Sequence, residues 1–203
     1  MSPQQHLSQA DPQLKTIIET LPAPDFPAPN DPFYDMVSCV VDQQLPHRSR
    51  GAMMKKLKHI LSGAPVVPET ILVLEEEAFT AQKIAKAKYE TLMRLAHYWQ
   101  SQALSVLEWQ LLLDDEVREM LAKVKGIGPW TIDMFLLFTL QREDIFPADD
   151  YHLKLIMADQ YELDPKSKLK ANMKEIATAW CPHRSLGVRY LLDWKTYLKK
   201  LNK

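Results

Sequence analysis

The chain has 203 residues, 46% of them hydrophobic and 25% charged, with a formal net charge of -1. That length supports one large domain or two small lobes around a real core, and the near-zero charge excludes a protein that coats nucleic acid by bulk electrostatics. Two cysteines, Cys39 and Cys181, exclude a disulfide framework and a four-cysteine iron–sulfur cluster, and no apolar run reaches the roughly 20 residues of a membrane span.

In DPQLKTIIET, Leu14, Ile17 and Ile18, with Leu21 just beyond, recur at helical spacing and predict a short helix over 11–20. Residues 1–30 thus read as an N-terminal helix and a connector. In that connector Pro22, Pro24, Pro27 and Pro29 have no amide to give to a sheet, and Phe26 is expected to dock. Asp31 is a candidate cap with Pro32 in the first turn, and Phe33, Met36, Val37, Val40 and Val41 share one side of a helix that ends near Gln43-Gln44-Leu45-Pro46. A second helix over 47–61 puts Met53, Met54, Leu57, Ile60 and Leu61 inward and Arg48, Arg50, Lys55, Lys56 and Lys58 outward. Gly63 and Pro65 break the chain before a short helix over 68–74. One long helix is then expected over 79–100, with Ile84, Ala87, Leu92, Leu95, Ala96 and Trp99 on its apolar face. Asp114 and Asp115 open the segment DDEVREMLAKV, where a helix N-terminus favours negative charge. No segment alternates as a strand does, so the fold class is all-α.

The stretch LAKVKGIGPWTIDMFLLFTLQREDIFPADDYHLKL, residues 121–155, organises the rest. Gly126 and Gly128 tolerate the positive φ and close backbone approach of a tight turn, and Pro129 fits the first turn of the following helix. Helix-starting amides without internal partners make an anion site. Ile132 to Leu140 leave almost no polar face, so that helix belongs in the interior. Asp149-Asp150 opens another helix over 151–160, and either acid suits the helix entrance, where capping and the dipole favour a carboxylate. A Lys-rich turn, DPKSKLKANMKE, follows, and the last helix starts around WCPHRSLGVRYLLDWKTYL with Trp180, Leu186, Val188, Leu191, Leu192, Trp194 and Leu198 mostly in the core.

VKGIGPWTIDMFLLF followed by DIFPADDYHLK resembles the helix-hairpin-helix and closing aspartate of the helix-hairpin-helix DNA glycosylase superfamily. Trp130 after the GIGP turn, the double Asp, and WCPHRS resemble its 3-methyladenine DNA glycosylase II branch, which removes alkylated purines. The resemblance implies a two-lobed helical bundle over 31–203, with the hairpin at 121–140 and the active cleft between the lobes. It implies Asp150, at the family's reach past the hairpin, as the catalytic carboxylate, with Asp149 left as the cap, and Trp130, Met134 and His183 around the base. Phosphate would meet amides near Gly126, Gly128 and Thr131, as well as Lys86, with Gln44 and Leu45 as wedge candidates entering the base stack. Asp42 and Pro46 depart from the family pattern at that corner, where a small residue and a Ser or Thr are usual.

Lyase-active relatives carry a lysine where Trp130 stands, so the resemblance implies a monofunctional enzyme that forms no Schiff base. It implies no required cofactor, a Na or K ion on the carbonyls of Ala122, Val124 and Ile127, and no iron–sulfur cluster. The expected partner is double-stranded DNA with a damaged base, met by a monomer away from any membrane: in the cytoplasm at the nucleoid of a bacterium, or in a eukaryotic nucleus. Two other readings stay open. One is a glycosylase for deaminated or oxidised bases; the other is a non-catalytic helix-hairpin-helix module that only binds DNA.

Overall fold

The computed structural model describes residues 1–26, 28–43 and 51–201. Among these residues the regular structure is helical, with no strand. The chain forms two compact units, 28–140 and the pair of segments 1–27 and 141–203.

In the unit built by 28–140, Asp31 starts the helix Pro32–Asp42 as expected, its Oδ1 accepting from the Phe33 and Tyr34 amides at 2.9 and 3.2 Å. Two helices precede this one in the chain, so in chain order it is α3. Phe33, Met36, Val37, Val40 and Val41 are all buried on it. The next helix is α4 (Ala52–Ile60), whose buried side chains are Met54 and Leu57. It starts later than the patterning suggested; the expected first turn over 47–50 lies outside the described residues. The short helix α5 (Pro68–Leu72) follows.

The long helix expected over 79–100 is two helices, α6 (Glu76–Ala81) and α7 (Lys86–Ser101). The reason is a capping motif built without glycine. Lys83 takes φ +56°, its N–H reaches the Thr80 carbonyl at 2.9 Å, and the Ile84 N–H reaches back to the Phe79 carbonyl at 2.9 Å. Ile84 is then buried beside the end of the helix it terminates, the apolar contact that accompanies this kind of stop. Two 3-10 turns, Leu104–Val106 and Trp109–Leu111, lead to α8 (Asp114–Leu121) and α9 (Pro129–Met134), which continues as one π-helical stretch, Phe135–Thr139.

An aromatic ladder anchors that stretch. Phe135 packs edge-on against Trp109 at 5.2 Å, Trp109 stacks on Trp99 at 5.3 Å, and Trp99 meets Phe33 edge-on at 5.3 Å. Buried aromatic pairs of this kind contribute about 1 kcal/mol each beyond their area. Thr139 donates to Asp35 at 3.0 Å and Arg118 pairs with Asp133 at 2.6 Å, so the hairpin is held from α3 and α8 as well. The expectation that this stretch is apolar and interior holds at Phe135, Leu136 and Leu137, whereas Phe138 is 40% exposed.

The other unit contains α1 (Pro3–Ala10) and α2 (Pro12–Thr20), then α10 (Tyr151–Gln160), α11 (Leu169–Thr178) and α12 (Arg184–Leu201). Two of these helices, α1 and α11, were not legible in the patterning. Helix α1 is polar and short; a capping box between Ser2 and Gln5 starts it, and Leu7 is its one buried residue. In α11 the apolar positions are sparse, with Met173 and Ala177 buried, so the lysines around them look like a turn. The proline connector docks as expected through Phe26, whose ring lies 4.1 Å from the Arg189 guanidinium carbon.

Candidate active site and nucleic-acid interface

The hairpin runs from Leu121 at the end of α8 to Pro129 at the start of α9. Val124 donates to the Leu121 carbonyl at 3.1 Å and Ile127 to the Val124 carbonyl at 3.0 Å, which turns both apolar side chains inward. Gly126 adopts φ +104°, and a Cβ there would lie 2.7 Å from the Thr91 methyl. Gly128 differs from expectation: at φ -101° and ψ 174° it is ordinary extended backbone, with nothing within 4 Å of where a Cβ would be. Only Gly126 therefore needs glycine for the turn itself. Gly126→Ala is expected to lose about 2 kcal/mol from strain and overlap, visible in a thermal melt. Gly128→Ala should leave the melt unchanged, because its space is open.

Pro129 has no N–H, and among the described residues the amides of Gly126, Gly128 and Thr131 have no acceptor. Gly126 is exposed and Gly128 half-buried, so these two present their amides most openly. Thr131 is buried, and its hydroxyl accepts from Gln43 Nε2 at 2.8 Å. Backbone carbonyls are neutral oxygen acceptors, and the expected cation ligands Ala122, Val124 and Ile127 each carry one in the hairpin. That of Val124 already accepts the Ile127 N–H and keeps its second lone pair. Among the described residues no group of three or more His, Cys, Asp or Glu side chains could hold a metal ion.

The wedge candidates Gln44 and Leu45 lie outside the described residues. Asp42 accepts the Gly51 N–H on both carboxylate oxygens at 3.3 Å, which accounts for an acid at this corner. Lys88 donates to the Val41 carbonyl, and to that of Gln43 at 3.0 Å, closing the C-terminus of α3. Burial lowers the Lys88 pKa, and the Asp42 charge opposes that shift. Lys86 is exposed and paired with Glu76 at 2.9 Å. Exposed pairs contribute at most about 1 kcal/mol, so Lys86 can exchange this partner for a phosphate.

In the unit containing 141–203, the acid step is built differently from the sequence reading. Asp150, not Asp149, caps α10: its Oδ1 accepts the Leu153 N–H at 2.8 Å and the residue is 3% exposed. Asp149 is exposed and pairs with Lys170 at 2.6 Å and Lys154 at 3.4 Å; the Lys170 contact holds its carboxyl below the ordinary range. The loop leading to this step is pinned by the WCPHRS segment. Arg184 grips Asp144 through Nε at 2.7 Å and a terminal nitrogen at 2.9 Å. Ser185 donates its N–H to the Glu143 carbonyl at 3.0 Å and its hydroxyl accepts from the Ile145 N–H at 2.9 Å. Burial pushes the Asp144 pKa up, but the hydrogen bonds from Arg184 outweigh it, so the carboxyl stays low and the clamp charged.

Of the base-pocket candidates, Trp130 is half-buried and Met134 is 5% exposed, both on α9. His183 is half-buried just before α12 and meets the His6 ring edge-on at 5.5 Å. Two residues at the hairpin, Gln43 and Arg94, escaped the sequence reading. Gln43 stood in the quoted QQL string, but nothing local showed that it reaches the hairpin.

No family model matches the chain. The DNA-3-methyladenine glycosylase 1 of Schizosaccharomyces pombe is 30% identical over 168 residues, which span 82% of this chain and 72% of that protein. The chain belongs to the DNA-3-methyladenine glycosylase family. Another member, the putative DNA-3-methyladenine glycosylase YfjP of Bacillus subtilis, is 26% identical across 79% of this chain and 57% of its own length. The family fold is also shared with two solved structures at 26% identity. The Schizosaccharomyces pombe 3-methyladenine DNA glycosylase Mag1 in complex with abasic DNA superposes with a TM-score of 0.85 over 95% of this chain and 96% of that one. The DNA-3-methyladenine glycosidase of Bacillus halodurans gives 0.79 over 98% and 92%.

Proposed function

We propose that the chain is a monofunctional DNA glycosylase that hydrolyses the N-glycosidic bond of alkylated purines, of the 3-methyladenine and 7-methylguanine type, in duplex DNA. The observation that carries this reading is the hairpin with unclaimed amides at Gly126 and Gly128, in a chain that buries Asp150 at the start of a helix. The amides take a backbone phosphate, a positioning contact without sequence information. The damaged nucleotide is extruded, which costs a few kcal/mol and less for a lesion that stacks or pairs poorly. Trp130 offers its π-face to the electron-poor alkylated base; Met134 and His183 are the other side chains this reading assigns to the base.

Breaking the bond at the sugar carbon develops positive charge on the sugar. Asp150 stabilises that charge or takes a proton from the attacking water. The carbonyls of Ala122, Val124 and Ile127 would hold a Na or K ion, whose charge would complement the phosphate; this reading requires no cofactor. The protein works as a monomer on damaged duplex DNA, in the cytoplasm of a bacterium or the nucleus of a eukaryote.

Purified protein should release free base from duplexes containing 7-methylguanine or 3-methyladenine in preference to hypoxanthine or uracil. Preference for hypoxanthine or uracil would make it a glycosylase for deaminated bases; release of none, with binding intact, would make it a binding module. Because Trp130 cannot form a Schiff base, borohydride should trap no protein–DNA adduct during turnover, and a trapped band on a denaturing gel would overturn the monofunctional assignment.

A further inference from the structure

Two side chains from outside the hairpin hold successive carbonyls of its turn. Arg94 on α7 donates Nε–H to the Lys125 carbonyl at 2.9 Å, and Gln43 at the end of α3 donates Nε2–H to the Gly126 carbonyl at 3.1 Å and to the Thr131 hydroxyl at 2.8 Å. A trans peptide is planar, so the carbonyl of one residue and the N–H of the next point in opposite directions. Fixing the Lys125 carbonyl against Arg94 therefore aims the Gly126 N–H away from α7. Fixing the Gly126 carbonyl against Gln43 orients the next plane, whose Ile127 N–H is held by the Val124 carbonyl at 3.0 Å.

Both holders are themselves set. Arg94 also donates to the Thr91 hydroxyl at 3.3 Å, and the Thr91 side chain fills the space under Gly126. The Gln43 backbone carbonyl is held by Lys88 at 3.0 Å. The turn thus has one glycine at a positive φ, which by itself is free to rotate, and two outside donors that remove that freedom.

We propose that Gln43 and Arg94 are positioning residues of the phosphate site, holding the two peptide planes around Gly126 so that its amide faces the DNA backbone before DNA arrives. The proposal rests on the hairpin reading above. It makes binding, not bond cleavage, the step that depends on these two side chains, because neither touches the base or sugar in that reading. It also assigns Arg94 a directional role: its Nε–H, not its charge, does the holding, and a lysine in its place would keep the charge and lose the planar donor.

The test uses the full chain, a duplex carrying a stable abasic-site analogue, and a duplex carrying 7-methylguanine. Gln43→Ala, Arg94→Ala and Arg94→Lys should each weaken abasic-duplex binding by roughly tenfold, the factor set by one lost oriented hydrogen bond. Their single-turnover base release at saturating DNA should stay within about twofold of the parent. If Gln43→Ala does not fold, Gln43→Met keeps the side-chain length without the donor and should show the same loss. Full rescue of binding in Arg94→Lys would make Arg94 a simple phosphate charge and overturn the proposal, as would parental affinity in the Gln43 variant. A parent protein that binds no abasic duplex defeats the hairpin reading itself, whereas a binding parent with unaffected variants defeats only this inference.

Discussion

Asp150→Asn should lower base release by roughly 10³-fold, the scale of removing one group that stabilises transition-state charge, while affinity for abasic duplex stays within a few-fold. The substitution is informative because of what it keeps. Oδ1 of Asp150 accepts the Leu153 N–H at 2.8 Å, and asparagine offers the same oxygen to the same amide, so α10 retains its cap. Loss of rate can then be assigned to the missing charge and not to an unravelled helix. Asp150→Ala removes the cap as well, at a cost of about 1 kcal/mol, and would confound the two effects. Single-turnover release from a 7-methylguanine duplex measures the rate, and a melt checks the fold. If Asp150→Asn retains parental release, the chemistry belongs elsewhere. Asp149 would be the next acid to test, and its surface pairing with Lys170 and Lys154 gives a structural reason to expect little effect there.

The largest effect on stability should come from Asp11, which is 5% exposed. Its Oδ1 caps α2 by accepting from the Gln13 and Leu14 amides at 2.9 and 3.1 Å. Its Oδ2 accepts from the Tyr161 hydroxyl and from Trp180 Nε1, both at 2.8 Å. These partners all donate, so asparagine cannot replace the carboxylate: whichever way its amide turns, an NH₂ faces at least one donor, and the indole N–H cannot reverse its role. Breaking a buried charged network of this kind costs about 3 kcal/mol, a fall in melting temperature of roughly 6–12 °C for a chain of this size. An Asp11→Asn melt within 2 °C of the parent would show the network to be unimportant.

The same network predicts an alkaline limit. Burial, with the Asp11 charge added to it, raises the Tyr161 pKa far above its ordinary value. Above about pH 10 the unfolded chain loses that proton while the folded chain keeps it, so stability falls as pH rises. Tyr161→Phe should flatten that part of the pH profile.

What the sequence determined by itself follows from local chemistry. The Asp31-Pro32 start of α3, the turn at GIGPW, and the burial of Ile132 to Leu137 depend on capping groups, a glycine with no Cβ, and apolar density, all readable within a few residues. What it left open, or led astray, depends on partners far along the chain. Adjacent, identical Asp149 and Asp150 cannot be told apart as cap and surface ion pair until α11 brings Lys170 to one of them. The stop at Lys83 relies on burying Ile84, which no helical wheel of 79–100 reveals. Gln43 reaches across 83 residues to the Gly126 carbonyl, and Arg94 across 31 to that of Lys125. The glycines of the hairpin turn could therefore be named from the sequence, but the orientation of their amides was decided only by tertiary structure, because a peptide plane is aimed by whatever its carbonyl meets.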